Sequence, residues 1–193
     1  SYFTWIYTLG NGVGSISFTG RATGTDSNTG DFAQSSVAQS NTTTVQASAV
    51  LYSWLATQNP VVSAGQTFTV LMGVTNTGGA ISNSTNAVAN LTIGNSGSGA
   101  VVKTAGPVPS NVSLNNSESQ VFTYVYNATQ AGYVWFSGNA SGTDPVFGLV
   151  YSPVTASNGV LIETAASLST TISASPAVVS TGQVITVIMV ITN

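Results

Sequence analysis

Apolar and polar residues alternate over short runs for most of the chain, and the clearest run is Thr67-Phe68-Thr69-Val70-Leu71-Met72-Gly73-Val74-Thr75-Asn76. A period of two puts every second side chain on one face of a strand, so Phe68, Val70, Met72 and Val74 are predicted to face a core. The turn Ser63-Ala64-Gly65-Gln66 leads into this strand. Similar β-rich runs, broken by Gly, Asn, Ser and Pro, predict strands near 50–56, 66–75, 87–93, 99–104, 120–127, 132–141 and 158–164. No segment has a helical period. Tyr52, Trp54, Leu91, Ile93, Val102, Phe122, Tyr124 and Val134 are expected to join the four residues above in the core. Earlier in the chain, residues 3 to 7 alternate, Asn11-Gly12-Val13-Gly14 reads as a turn, and Ser15-Ile16-Ser17-Phe18 is expected to return as the second strand of a hairpin.

The turn and strand at 63–76 recur as Ser180-Thr181-Gly182-Gln183 through Thr192-Asn193, 117 positions later. Phe122-Thr123-Tyr124-Val125-Tyr126 repeats the run at 3–7, and Gly138 to Asp144 repeats Gly20 to Asp26. A fixed period of this kind marks tandem units. Its phase divides the chain into the C-terminal part of one repeat (1–48), a complete repeat (49–165) and the first strands of another (166–193). The inward residues of the two long strands match in type, with Ile185, Val187, Met189 and Ile191 at the places of Phe68, Val70, Met72 and Val74. The outward residues differ: Val184, Ile188 and Val190 stand where Thr67, Leu71 and Gly73 were. An apolar outer face needs cover, supplied either by a loop or by another chain or neighbouring domain. The segment Val184 to Ile191 is therefore the expected joining strand between units.

Composition sharpens this picture. Charged residues make up 4% of the 193, against a norm of about 25%, while 42% are apolar. The two cations, Arg21 and Lys103, cannot form the basic footprint that nucleic-acid binding requires. So few titrating groups should leave stability almost independent of pH, including in acid. There is no Cys, which removes disulfides and thiolate metal sites, and no apolar run long enough to span a membrane.

The motif that recurs most is Asn-x-Ser/Thr. Acceptors stand at Asn41, Asn83, Asn90, Asn111, Asn115, Asn127 and Asn139, and covalent N-glycans are expected there. Asp26 and Asp144, each in Gly-Thr-Asp, read as turn caps, because one carboxylate is too few for Ca²⁺. Lys103 could form an isopeptide crosslink with an Asn, assisted by Glu118 or Glu163, and a solvated lysine is the simpler reading. Asp26 and Asp31 are the sole close carboxylate pair, and Asp31 has no counterpart in the complete repeat. With no His and no Cys, catalysis is not expected, nor is any cofactor or metal. Trp5, Tyr7, Trp54, Tyr124, Tyr126, Tyr133 and Trp135 divide between core packing and surfaces that could meet sugars or a neighbouring subunit.

The run Val61-Val62-Ser63-Ala64-Gly65-Gln66 through Val74-Thr75-Asn76-Thr77-Gly78, with its copy from Pro176, resembles the CARDB class of Ig-like repeats in bacterial and archaeal surface proteins. That resemblance implies an all-β fold, Ig-like antiparallel β-sandwich domains in tandem, and an extracellular structural or adhesive role. The low charge and many sequons are similar to surface filaments of acid-loving archaea. The expected function is thus a non-enzymatic unit of a cell-surface fibre, partnered by further copies of itself. Its terminal strands would be completed along one continuous chain or by strand donation between chains. Joining 166–193 to another copy's 1–48 leaves out the counterpart of 77–119, which favours the continuous chain. The alternative is an adhesin or carbohydrate-binding module.

Overall fold

A computed structural model describes residues 1–10, 12–88 and 91–193. Six short strands come first: β1 Gly14–Ile16, β2 Thr19–Gly20, β3 Thr23–Thr25, β4 Phe32–Gln34, β5 Ala38–Gln39 and β6 Thr43–Val45. The middle of the chain holds β7 Leu51–Thr57, β8 Val61–Ser63, β9 Thr67–Asn76, β10 Ser82–Ala87, β11 Thr92–Ser96, β12 Ala100–Val108 and β13 Val112–Leu114. It continues with β14 Ser119–Gln130, β15 Gly132–Gly138, β16 Ala140–Asp144, β17 Gly148–Tyr151, β18 Thr155–Ala156 and β19 Val160–Glu163. Last come β20 Ser169–Ser175 and β21 Thr186–Thr192. The described residues form no helix.

Strands β7 to β19 make a two-layer sandwich. One layer is the antiparallel sheet β12-β14-β9-β7. The other has two ladders, β11-β15-β19-β8 and β13-β10-β16-β17, joined where β15 runs into β16 through Asn139. Phe68, Val70, Met72, Val74, Phe122 and Tyr124 project from the first layer onto Leu91, Val134, Phe136, Val160 and Ile162 of the second. Rings meet across the gap, with Tyr126 and Phe136 centred 4.7 Å apart. The first strand is shared between layers: β7 pairs antiparallel with β9, the chain crosses at Gln58-Asn59-Pro60, and β8 then pairs parallel with β19.

Four residues expected in the core face outward. Tyr52 is 56% exposed and Trp54 39%, while Ile93 and Val102 are exposed as well. In β7 the inward positions belong to Leu51, Ser53, Leu55 and Thr57. The aromatic pair biased the expected phase by one residue, and a one-residue slip turns every side chain to the other face. Trp54 lies across from Gly73, where a side chain on the glycine would overlap its indole. Trp135 covers Gly94 in the same way on the opposite layer. Of the expected strand 87–93, β10 ends at Ala87 and β11 starts at Thr92, and residues 89–90 lie outside the described residues.

The hairpin expected from residues 3 to 18 does not form, and Asn11 of its turn lies outside the described residues. Residues 3–7 carry no strand, and β1 pairs with β6 instead. The complete sandwich shows why. There the corresponding strands, β14 and β15, belong to opposite layers, and β14 bonds to β9 and β12. Residues 3–7 have no such partners here.

Both end segments copy pairings of the sandwich. Strands β1–β6, β2–β5 and β3–β4 form three successive antiparallel pairs, from Gly14↔Val45 to Thr25↔Phe32. Each pair matches one of β15–β19, β15–β18 or β16–β17, displaced by 118 positions on the outgoing strand and 117 on the return. Hairpin β20–β21, from Ser169↔Thr192 to Ala174↔Val187, has the register of β7–β9 displaced by 117 on both strands. Unlike β7–β9, it is exposed on both faces.

Candidate functional site

The feature most open to function is the seam along which the first strand meets the last, together with two segments that each carry one half of it. The buried hydroxyls of β7 belong to this seam. At its start the Ala49 N–H donates to Asp144 Oδ2 at 2.7 Å. Further along, the Ser53 and Ser152 hydroxyls bond at 2.7 Å. The Thr57 N–H donates to Asn158 Oδ1 at 2.9 Å, and Asn158 Nδ2 donates to the Thr57 hydroxyl at 2.6 Å. Across the parallel pair, the Leu161 N–H donates to Pro60 O and the Ala64 N–H to Glu163 O, both at 2.8 Å. Asp144, Ser53, Ser152 and Thr57 are all buried. A polar group inside a core is tolerated only when its partners are in place, so each tie fixes the position of the first strand.

Asp144 caps its own turn, with Oδ1 accepting from the N–H groups of Val146 and Phe147 at 2.7 and 3.0 Å. Burial raises its pKa, but the N–H groups of Ala49, Phe147 and Val146 outweigh that and hold the carboxyl below the usual range. Asp26 makes the equivalent cap with Asn28 and Thr29, and these N–H groups likewise lower its pKa. Asn76, fully buried, ties the other side of the start. Its Nδ2 donates to Ala80 O and Leu114 O, and its Oδ1 accepts from Val50 N–H and Gly78 N–H. Its place in Asn-Thr-Gly was noted in the sequence; these bonds were not foreseen. Nor were Ser53, Ser152 and Asn158, for which the polar inward positions of β7 were the available signal.

The N-terminal segment carries the last-strand half of the seam. Ala22 N–H donates to Ser35 Oγ at 2.9 Å, as Ala140 N–H does to Ser152 Oγ at 2.8 Å. Asp26, Ser35 and Asn41 thus stand at the places of Asp144, Ser152 and Asn158. Beside them Phe3, Trp5, Tyr7 and Phe18 line an open apolar groove of about 790 Å³. Tyr7 stacks on Phe18 at 4.7 Å, repeating the Tyr126–Phe136 pair of the closed core. The C-terminal segment carries the first-strand half. Ala166 and Thr170 stand at the places of Ala49 and Ser53. The turn repeats too: Gln183 N–H donates to Ser180 O at 3.1 Å, and Gly182 has φ 86° against 90° for Gly65. Ile185, Val187, Met189 and Ile191, the inward set of the expected joining strand, are exposed, as are Val184, Ile188 and Val190.

The remaining candidates separate. Asn111 and Asn115 are exposed at β13, and Asn115 Nδ2 donates to Glu118 at 3.1 Å. Asn83, Asn127 and Asn139 are half-buried, and with its amide turned to satisfy both atoms Asn127 donates to the carbonyls of Gln66 and Gly65. Asn41 is exposed, and Asn90 lies outside the described residues. Lys103 sits opposite Tyr126 in β14, eight positions from Glu118, and Glu163 belongs to the other layer. The crosslinking combination is therefore not assembled. Trp54 and Trp135 lie on opposite outer faces, so the aromatic residues do not make a single platform. Among the described residues no three of His, Cys, Asp and Glu gather as metal ligands, and no helix is long and apolar enough to cross a membrane.

No family model matches the chain, and no curated protein does. Among solved structures it is similar to the CARDB domain of the PF1109 protein from Pyrococcus furiosus, crystallised in complex with di-metal ions. That match has 18% identity and a TM-score of 0.37, covering 64% of this chain and 100% of the other. A solution structure of the same domain gives 17% identity and a TM-score of 0.35, covering 60% and 95%. The ASH/PapD-like domain of human CEP192 gives 12% and 0.37, covering 58% and 87%. The sandwich is Ig-like. Two layers of strands packed face to face are the architecture expected from the sequence; the parallel pairing of the first and last strands departs from the antiparallel expectation.

Proposed function

We propose that the chain is a non-enzymatic structural unit of an extracellular surface fibre, in which sandwiches follow one another and each open half-seam is completed by a neighbouring unit. The observation that carries this reading is the complementarity of the two end segments. One presents Asp26, Ser35, Asn41 and the Phe3–Trp5–Tyr7 groove; the other presents Ala166, Thr170 and an apolar hairpin in the register of the strands that would fill it. Chains of this kind join through main-chain ladders that give affinity and alternate side chains that give specificity.

N-glycans on Asn111 and Asn115 would hydrate a surface short of charge, with Asn83, Asn127, Asn139 and Asn90 as further acceptors. Asn41 stands where Asn158 uses its amide nitrogen to hold Thr57, and in a completed seam that nitrogen would be occupied. Electron microscopy of material shed from the producing cells tests the fibre reading. Uniform filaments are expected; isolated rods or monomers would favour an adhesin. Intact mass under denaturing conditions separates a tandem array of hundreds of kDa from a subunit near 19.5 kDa plus glycans.

A further inference from the structure

We propose that the seam is a mechanical clamp, and that the sandwich resists tension applied along its chain. The inference takes from the fibre reading only that an axial load exists; the clamp itself rests on the topology of one sandwich. Strands β8 and β19 pair in parallel, Val61 to Ser63 against Leu161 to Glu163. The chain enters ahead of one and leaves beyond the other, so tension on the two ends slides these strands past each other lengthwise. In that geometry the cross-bonds must yield together. An antiparallel pair pulled from one end instead opens one bond at a time, as β15 and β19 would from Gly132↔Ile162.

The load meets more than this short ladder. Strand β7 is drawn along its own axis against the seven pairs it shares with β9, from Leu51↔Asn76 to Thr57↔Val70. The ties Ala49–Asp144, Ser53–Ser152 and Thr57–Asn158 anchor the same strand to the segment that ends in β19. Burial of the first two keeps water from replacing those bonds as they stretch. Forced unfolding is governed by the unfolding barrier, which such concerted rupture raises.

The chain contains no Cys, so paired cysteine substitutions give clean attachment points for single-molecule pulling on the full chain. Handles at Gln46→Cys and Thr164→Cys load the seam lengthwise; handles at Gln130→Cys and Thr164→Cys open β15 from β19. All three positions are exposed. The first pair is expected to require a severalfold higher unfolding force. Ala64→Pro removes one clamp donor, yet suits its turn: Gly65 has φ 90° and Gln66 N–H bonds Ser63 O, which leaves Ala64 at the position proline favours. In the lengthwise geometry A64P should unfold about tenfold faster at equal load, with little change in thermal midpoint. Ser53→Ala, which loses the mid-seam hydroxyl with its contacts to Ser152 and Pro153 O, is a second variant expected to act in the same direction. Equal forces in the two geometries, or unchanged lengthwise kinetics in both variants, would overturn the clamp. Absence of filaments would sink the fibre reading and leave this result standing.

Discussion

Asn76 satisfies four backbone groups, three of them buried, with one side chain, linking the start of the first strand, the turn after β9 and the end of β13. Asn76→Ala strands those groups without partners, and a loss of about 3 kcal/mol in urea unfolding is expected. A smaller substitution tests the outer faces. Gly73→Ala places a methyl group inside the Trp54 indole and should cost about 1–2 kcal/mol, since the ring must leave its seat. The glycine was visible in the sequence, but its meaning depends on a cross-strand neighbour nineteen positions away. Tyr52 and Trp54 show the same limit. Apolar size argued for the core, while the need for hydroxyls at the seam put Ser53 and Thr57 there instead.

At the scale of elements, legibility follows how local the signal is. β9 could be read because Phe68, Val70, Met72 and Val74 carry the period alone, and each is buried. The β8–β19 pairing could not, because it joins three-residue and four-residue segments whose partners are far apart in sequence. The pairings of the end segments reproduce those of the sandwich at the offsets the sequence shows, but the hairpin expected over 3–18 does not form, because its counterparts β14 and β15 lie in opposite layers. Neither segment has a second layer to bury its apolar face among the described residues. Limited proteolysis of the isolated chain should therefore remove 1–48 and 166–193 first and leave a resistant fragment near 49–165. Survival of the ends at the same rate as the middle would show that they are covered.

For the whole molecule, the pH response is set by few groups. The carboxyls of Asp144, Asp26 and Glu118 are all lowered, so what they contribute is complete above the ordinary carboxylate range, near pH 4, and is lost only as pH falls through the lowered values. Burial pushes Tyr124 and Tyr126 upward, so their contribution is complete below about pH 10 and is lost as pH rises beyond it. Thermal midpoints should then be flat between about pH 5 and 9, with a shallow acid fall that Asp144→Asn flattens further while lowering the plateau. The shared first strand has one more consequence, for synthesis. Val61 finds its partner Leu161 only after a hundred further residues have been made. A sandwich of this kind stays open through most of its translation and closes with the last strand, making its folding slow for its size. In a row of similar sandwiches, the difference of Ile185 and Ile191 from Phe68 and Val74 limits exchange of the early long strand between neighbouring units.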